Sequence, residues 1–217
     1  MHFDILKVGD LESNCYVLSP GAPEALLIDA GGDARRIIGH LEGKALEPVL
    51  LVNTHGHVDH IAANAELREQ YADMKIAIGR ADAGALASPA RNMSFFVGRR
   101  VKSPPADRLL DENDVVEFGP WRFRVIDTPG HTPGGICLFT EDLNGAPALF
   151  SGDTLFAGSV GRCDIPGGDW QQLVEGIRQK LFTLPDETVV YPGHGPATTV
   201  GVEKTSNPFV GEDTGII

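Results

Sequence analysis

The run Thr54-His55-Gly56-His57-Val58-Asp59-His60 places four potential metal ligands within six residues. With this chain's composition, a chance run of that kind is expected with a frequency of roughly 6 in 10,000. In a tight turn His55 and His57, two apart, can point to one side of the backbone. Asp59 and His60, on the first turn of a following helix, point to an adjacent position, so one turn can serve two metals. Three further segments offer a donor after a glycine: Thr128-Pro129-Gly130-His131, Ser151-Gly152-Asp153 and Pro192-Gly193-His194-Gly195. Glycine permits the close backbone approach that such turns require. Five of the seven histidines are used in this way, leaving His2 and His40 as ordinary residues. Imidazole and carboxylate donors without thiolate suit zinc, iron or manganese.

Each of these turns should follow a strand. Short or alternating apolar runs at 5–8, 15–18, 25–28, 49–52, 75–78, 115–118, 121–126, 135–139, 148–150 and 188–191 read as strands. Trp121, Phe123 and Val125 alternate with Arg122 and Arg124, the pattern of a sheet with one covered and one wetter face, which argues against an all-parallel sheet. Helical spacing predicts helices over 33–41, 59–71 and 170–181, the last with Asp169 and Gln172 as a capping pair. Strand runs dominate each half and helices follow them, so the expected class is α+β, with two sheet layers and helices outside.

The remaining long segment, 91–108, has no clear period. It carries Arg91, Arg99, Arg100, Lys102 and Arg108 against Asp107 alone, with Phe95-Phe96 near its middle. It is either a solvated loop or a cationic, aromatic lip that draws anionic substrates toward the protein.

Composition narrows the class. The chain has 217 residues and a formal net charge of −12, which repels nucleic acid and anionic lipid. Its length is that of a single domain, expected over residues 1–217. No apolar stretch approaches the ~20 residues of a membrane helix, and the start Met1-His2-Phe3-Asp4 has no basic signal-peptide region, so a cytoplasmic protein is expected. Three scattered cysteines, Cys15, Cys137 and Cys163, suggest neither disulfides nor a thiolate zinc site.

The whole pattern resembles the metallo-β-lactamase superfamily, whose signature is a His-x-His-x-Asp-His turn followed by a distant His, Asp and His. That resemblance implies a four-layer αβ/βα sandwich with two metals at one edge between the sheets. It places His55, His57 and His131 on the first metal, Asp59, His60 and His194 on the second, and Asp153 between them. Zinc is the first expectation for both metals, with iron or manganese as the alternatives.

Within the superfamily the chain is most similar to single-domain glyoxalase II-type hydrolases, which cleave thioesters such as S-lactoylglutathione. The similarity lies in Thr128-Pro129-Gly130-His131-Thr132-Pro133-Gly134, Ser151-Gly152-Asp153-Thr154-Leu155-Phe156, Gly161-Arg162-Cys163-Asp164, Pro192-Gly193-His194-Gly195-Pro196 and the tail Asn207-Pro208-Phe209. Two-domain members carry a basic residue and then a Tyr after the bridging Asp, together with a helical C-terminal domain. Arg162 matches the basic position and Asp164 stands where the Tyr would be.

A metal-bound hydroxide is then the nucleophile, because coordination lowers the pKa of water from about 15.7 to about 7. Asp59 and Asp153 are the catalytic carboxylates, and Arg162 is the candidate for gripping an anionic substrate; a buried structural ion pair is its alternative. A thiolate of parent pKa about 8.5 leaves without strong acid help, which favours a thioester over an amide. The expected partner is a small thioester, possibly a glutathione conjugate, with no nucleic acid or membrane, on a monomer or small homo-oligomer. Cys163 reads as a small, partly buried thiol. Asp29 either orients a ligand histidine or leads a helix turn.

Two rival activities share the resemblance. A persulfide dioxygenase would keep one iron on His55, His131 and Asp153, a two-His, one-carboxylate triad. Gly195-Pro196 after His194 and the Asn207-Pro208-Phe209 tail lean toward a hydrolase over the dioxygenase. A lactonase or β-lactamase is the other alternative, its pocket being built from loops that sequence patterns do not read.

Overall fold

The computed structural model describes residues 2–21 and 23–212, with the side chain of Val97 also left aside. Met1 of the acidic start lies outside the described residues. The chain divides into two compact units, Met1–Leu110 and Asp111–Ile217.

The first unit is a six-stranded sheet in sequence order: β1 (His2–Val8), β2 (Ser13–Ser19), β3 (Glu24–Ile28), β4 (Glu47–Asn53), β5 (Lys75–Gly79) and β6 (Arg108–Leu110). The first three strands pair antiparallel and the last four parallel. Parallel neighbours need crossovers. Helix α1 (Ala34–Gly43) links β3 to β4, while α2 (Val58–Ile61) and α3 (Asn64–Gln70) lie between β4 and β5. Alternate strand residues Val17, Ala25, Leu27, Leu51 and Ile76 form one buried cluster with Ile37 and Leu41 of α1 and Leu67 of α3. Each Val, Leu or Ile among them contributes about 1.5–3 kcal/mol when fully buried.

Residues 59–71 were expected as one helix, and the structure breaks them at Ala62–Ala63. Continuing the helix would require the Ala63 N–H to reach the Asp59 carbonyl. Instead Ala63 donates to the Ala30 carbonyl at 3.0 Å, and the Asp59 carbonyl accepts the Ser13 hydroxyl at 2.5 Å. The periodic sequence is therefore interrupted by contacts from distant segments, the Ala30 carbonyl just after β3 and the Ser13 hydroxyl of β2. A short helix, α4 (Ala83–Leu86), follows β5.

The second unit holds β7 (Val115–Phe118), β8 (Trp121–Asp127), β9 (Ile136–Leu143), β10 (Ala146–Gly152), β13 (Val189–Pro192) and β14 (Thr198–Thr199) in the order β14-β13-β10-β9-β8-β7. Only β10 and β13 pair parallel, so both sheets are mixed, and the one that holds 121–125 is not all-parallel, as its alternation suggested. Helix α5 (Trp170–Gln179) makes the β10-to-β13 connection. Its Leu173 and Ile177 bury against Ile126, Cys137, Leu149 and Val190. Asp169 caps it as expected, accepting from the Gln172 N–H at 3.0 Å. Helix α6 (Val200–Ser206) and a hairpin of β11 (Leu155–Phe156) with β12 (Ser159–Val160) were not anticipated. Two-residue strands are too short to carry a period. None of the described helices is long and apolar enough to cross a membrane.

Candidate metal site

Strand β4 ends at Asn53, and the His-rich turn leaves its carboxyl end directly into α2. That turn brings His55, His57, Asp59 and His60 together within the first unit. The His55 and His57 rings lie 4.8 Å apart and the His55 and His60 rings 4.1 Å apart. His60 Nε2 is 3.7 Å from Asp59 Oδ2. The three histidines are buried and Asp59 is partly so.

Asp29, 1% exposed, organises this turn, and it does so from a left-handed backbone conformation (φ 58°) at the end of β3. Its carboxylate accepts the Thr54 N–H at 2.8 Å, the Thr54 hydroxyl at 2.6 Å and His60 Nδ1 at 2.9 Å. These contacts decide between the two readings of Asp29 in favour of orienting a histidine. They also fix tautomers. His60 donates from Nδ1, so Nε2 carries its lone pair. The Thr54 hydroxyl spends its only proton on Asp29, so at 3.2 Å it accepts from His55 Nδ1, and Nε2 again carries the lone pair.

Residues that the sequence reading did not single out complete the support. Asp82 accepts the Gly56 N–H at 2.8 Å, and a Cβ on Gly56 would stand 2.5 Å from the Ala85 methyl, so the turn needs glycine to pack on α4. Asn53 donates to the His60 carbonyl at 2.9 Å and is itself held by Asn64. A polar Asn closing an otherwise apolar strand was the one available signal for Asn53; a lone Asp82 gave none.

The second unit gathers His131, Asp153 and His194 from loops after β8, β10 and β13. Asp153 Oδ2 lies 3.5 Å from His131 Nε2 and 3.8 Å from His194 Nε2. His131 donates from Nδ1 to the Arg162 carbonyl at 2.8 Å, which again leaves the lone pair on Nε2. The side chain of Arg162 does something else. It is 67% exposed and makes a two-pronged ion pair with Asp164, at 2.8 and 3.0 Å. The alternative of a buried ion pair is thus replaced by an exposed one, and Asp164 raises the guanidinium pKa further by hydrogen bonding.

In the segment 91–108 the chain forms a short turn at Ser94–Val97, with Phe95 and Phe96 60% and 68% exposed and Arg91, Arg99, Arg100 and Lys102 exposed around them. Its base is tied to the histidine turn: the Val58 N–H donates to the Asn92 carbonyl at 2.8 Å, and the buried Asn92 side chain closes the loop on the Val101 carbonyl.

Imidazoles whose Nδ1–H points to a carboxylate, hydroxyl or carbonyl, set beside carboxylates, are a donor set suited to a metal ion. The description "Metallo-beta-lactamase superfamily" matches residues 8–194, and the chain belongs to that superfamily. Its fold is the metallo-β-lactamase fold, the α+β class expected from the sequence. The chain is 36% identical over 206 residues to the probable metallo-hydrolase YqgX of Bacillus subtilis, covering 94% of this chain and 95% of that one. It is 33% identical to the hydroxyacylglutathione hydrolase GloC of Haemophilus influenzae, covering 97% and 98%. Among solved structures, the BLEG-1 B3 metallo-β-lactamase superposes with a TM-score of 0.90 at 37% identity, covering 96% of this chain and 99% of that one. TTHA1623 in a di-iron-bound form superposes at 0.84 with 36% identity, covering 95% and 99%.

Proposed function

We propose that the two units work as one hydrolase domain over residues 1–217 that cleaves a small thioester of the hydroxyacylglutathione kind. In this reading His55, His57 and His131 hold one divalent metal, Asp59, His60 and His194 hold a second, and Asp153 serves both. The observation that carries it is the fixed tautomer at His55, His60 and His131, each with Nδ1 occupied by a donor contact inside its own unit. Such rings fit a metal without rearrangement. Zinc suits these donors, and so does iron, which the di-iron form of a relative brings to the fore.

When bound, the metals supply a hydroxide at neutral pH and polarise the acyl carbonyl. The chain's residues do the rest. Asp29 holds the His60 ring and, through Thr54, the His55 ring, so the ligands need not reorganise during turnover. Asp59 and Asp153 lower the net positive charge of the centre while keeping it favourable to a tetrahedral oxyanion. The thiolate product leaves unprotonated, which accords with a thioester substrate. The exposed Arg99, Arg100, Lys102 and Arg162 provide positive charge for the substrate carboxylates on a protein of net charge −12. GloC, a relative over nearly the full length, is named a hydroxyacylglutathione hydrolase, which supports a thioester substrate. The protein is expected to act in the cytoplasm as a monomer or small homo-oligomer.

The test is metal analysis of the purified protein together with thiol release from S-lactoylglutathione and, separately, oxygen uptake with glutathione persulfide. Two metals per chain and thiol release are expected. One iron with oxygen uptake would overturn the reading in favour of a dioxygenase. Arg162→Ala should raise KM several-fold with kcat and melting temperature unchanged.

A further inference from the structure

The tail Asn207-Pro208-Phe209 has no role in the chemistry above, yet Asn207 is fully buried, and so is Glu203 one turn earlier on α6, at 2% exposure. Glu203 is placed where three segments meet. Its Oε2 accepts the Gly158 N–H at the tip of the β11–β12 hairpin at 2.9 Å and the Asn207 side-chain amide at 2.7 Å. Its Oε1 accepts the hydroxyl of Thr198, four residues beyond His194, at 2.7 Å. Asn207 adds a second hold on the hairpin, donating to the Ser159 carbonyl at 3.1 Å, and its own side-chain oxygen accepts the Phe209 N–H at 3.0 Å.

The hairpin held in this way is the one that returns the chain to two of the second-unit donors. Immediately after β12, Gly161 lies so close to Asp153 that a Cβ there would stand 1.8 Å from the Asp153 carbonyl oxygen and 3.2 Å from the His131 Cβ. The next carbonyl, that of Arg162, takes the His131 Nδ1 proton. A shift of the hairpin by a few tenths of an ångström therefore moves the backbone of one donor and the ring-orienting acceptor of another. Thr198 connects the same carboxylate to the segment that carries the third.

We infer that Glu203 and Asn207 form a buried polar clasp that positions His131, Asp153 and His194 together, setting metal affinity and turnover without touching substrate or metal. They are positioning residues, and the physical reason is the rigidity of a satisfied buried network, in which every acceptor of Glu203 has a donor. Removing one partner leaves the others buried without their bonds, so the hairpin must move to find new ones.

The inference rests on the ligand roles proposed above, and the experiment separates the two. Metal affinity is measured on the folded full chain by competition with a chromogenic chelator, alongside kcat, KM and melting temperature. The variants are Asn207→Ala, Glu203→Ala and Glu203→Gln, with Val174→Ala in the α5 core as a stability control. Asn207→Ala and Glu203→Ala should weaken metal binding by roughly tenfold or more. Under metal-limited conditions kcat should fall in parallel, with KM nearly constant. Glu203→Gln should recover most of the affinity, since its amide can still accept from Gly158 and donate to Thr198. Val174→Ala should lower the melting temperature alone. Metal affinity in Asn207→Ala and Glu203→Ala equal to that of the parent would overturn the clasp; should the alanine variants not fold, Thr198→Val decides, since it should bind metal more weakly than Glu203→Gln, and equal affinity in those two would overturn the clasp. A parent protein that binds no metal would instead overturn the ligand assignment.

Discussion

In the first unit four donors leave one turn, residues 55–60, whereas in the second His131, Asp153 and His194 leave the ends of three strands separated by up to 63 residues of chain. The compact set is supported at close range by two carboxylates, Asp29 on Thr54 and His60 and Asp82 on the Gly56 N–H. The dispersed set depends on a hairpin return and a clasp reaching from α6. Both units nonetheless use one device for the aspartates proposed as ligands. A Cβ on Gly31 would stand 1.7 Å from the Asp59 carbonyl oxygen, as one on Gly161 would stand 1.8 Å from that of Asp153. Where donors are adjacent in sequence, local backbone fixes their geometry; where they are scattered, long-range polar contacts must do so.

The largest effect should come from removing a donor on either side. Asp153→Ala and Asp59→Ala should each lose at least about 100-fold in turnover and bind less than the parent's full metal complement, read by metal analysis. Unchanged activity in Asp153→Ala would remove that residue from the site. A chelator should abolish turnover in the parent, and added metal should restore it.

Next is Asp29→Ala, which strips acceptors from three buried donors at once. A destabilisation of about 3–5 kcal/mol is expected from urea titration, with weaker binding of both proposed metals, since Asp29 orients one histidine of each. A smaller change would mean that a neighbouring acceptor can replace Asp29.

The glycine pair sharpens the comparison. Gly31→Ala and Gly161→Ala should each cost about 1–3 kcal/mol, because the obstructing atom is a backbone carbonyl that cannot rotate away. Gly161→Ala should also disturb the hydrogen bond to His131 Nδ1, and so lower metal affinity more for the same loss of stability. Equal metal effects in the two variants would mean that the hairpin does not couple His131 to Asp153.

The smallest effect concerns the cysteines. Burial pushes the Cys137 thiol up to about 11, raises Cys15 further, and raises the half-buried Cys163. At pH 8 iodoacetamide should label Cys163 slowly and the other two only after denaturation, with the rate rising as pH approaches each raised value, checked by mass spectrometry. Labelling of Cys163 should leave the kcat of the metal-loaded protein nearly intact, consistent with a bystander thiol.

Much of the site was legible because donor chemistry and strand-end turns are local. The His-x-His-x-Asp-His run, the Gly-His and Gly-Asp turns and the strands before them need only a few adjacent residues, and Asp169 with Gln172 declared its cap by the same logic. The interruption of the helix at Ala62–Ala63 was not legible, since the Ala30 carbonyl and Ser13 hydroxyl that divert its hydrogen bonds come from segments distant in sequence. Asp82 and Glu203 escaped for the same reason: a single acidic residue on a helix declares nothing until the fold brings donors to it.

The sequence by itself determined which side chains could bind metal, in which turns they would stand and to which superfamily they belong, because those properties reside in residue type and short spacing. The tertiary structure decided what holds them: Asp29 on His60, the Arg162 carbonyl on His131, and Glu203 reaching both the hairpin and Thr198. It also turned Arg162 outward into an exposed pair with Asp164. Hydrogen-bond partners tens of residues apart are chosen by backbone placement in three dimensions, and no local pattern encodes that placement.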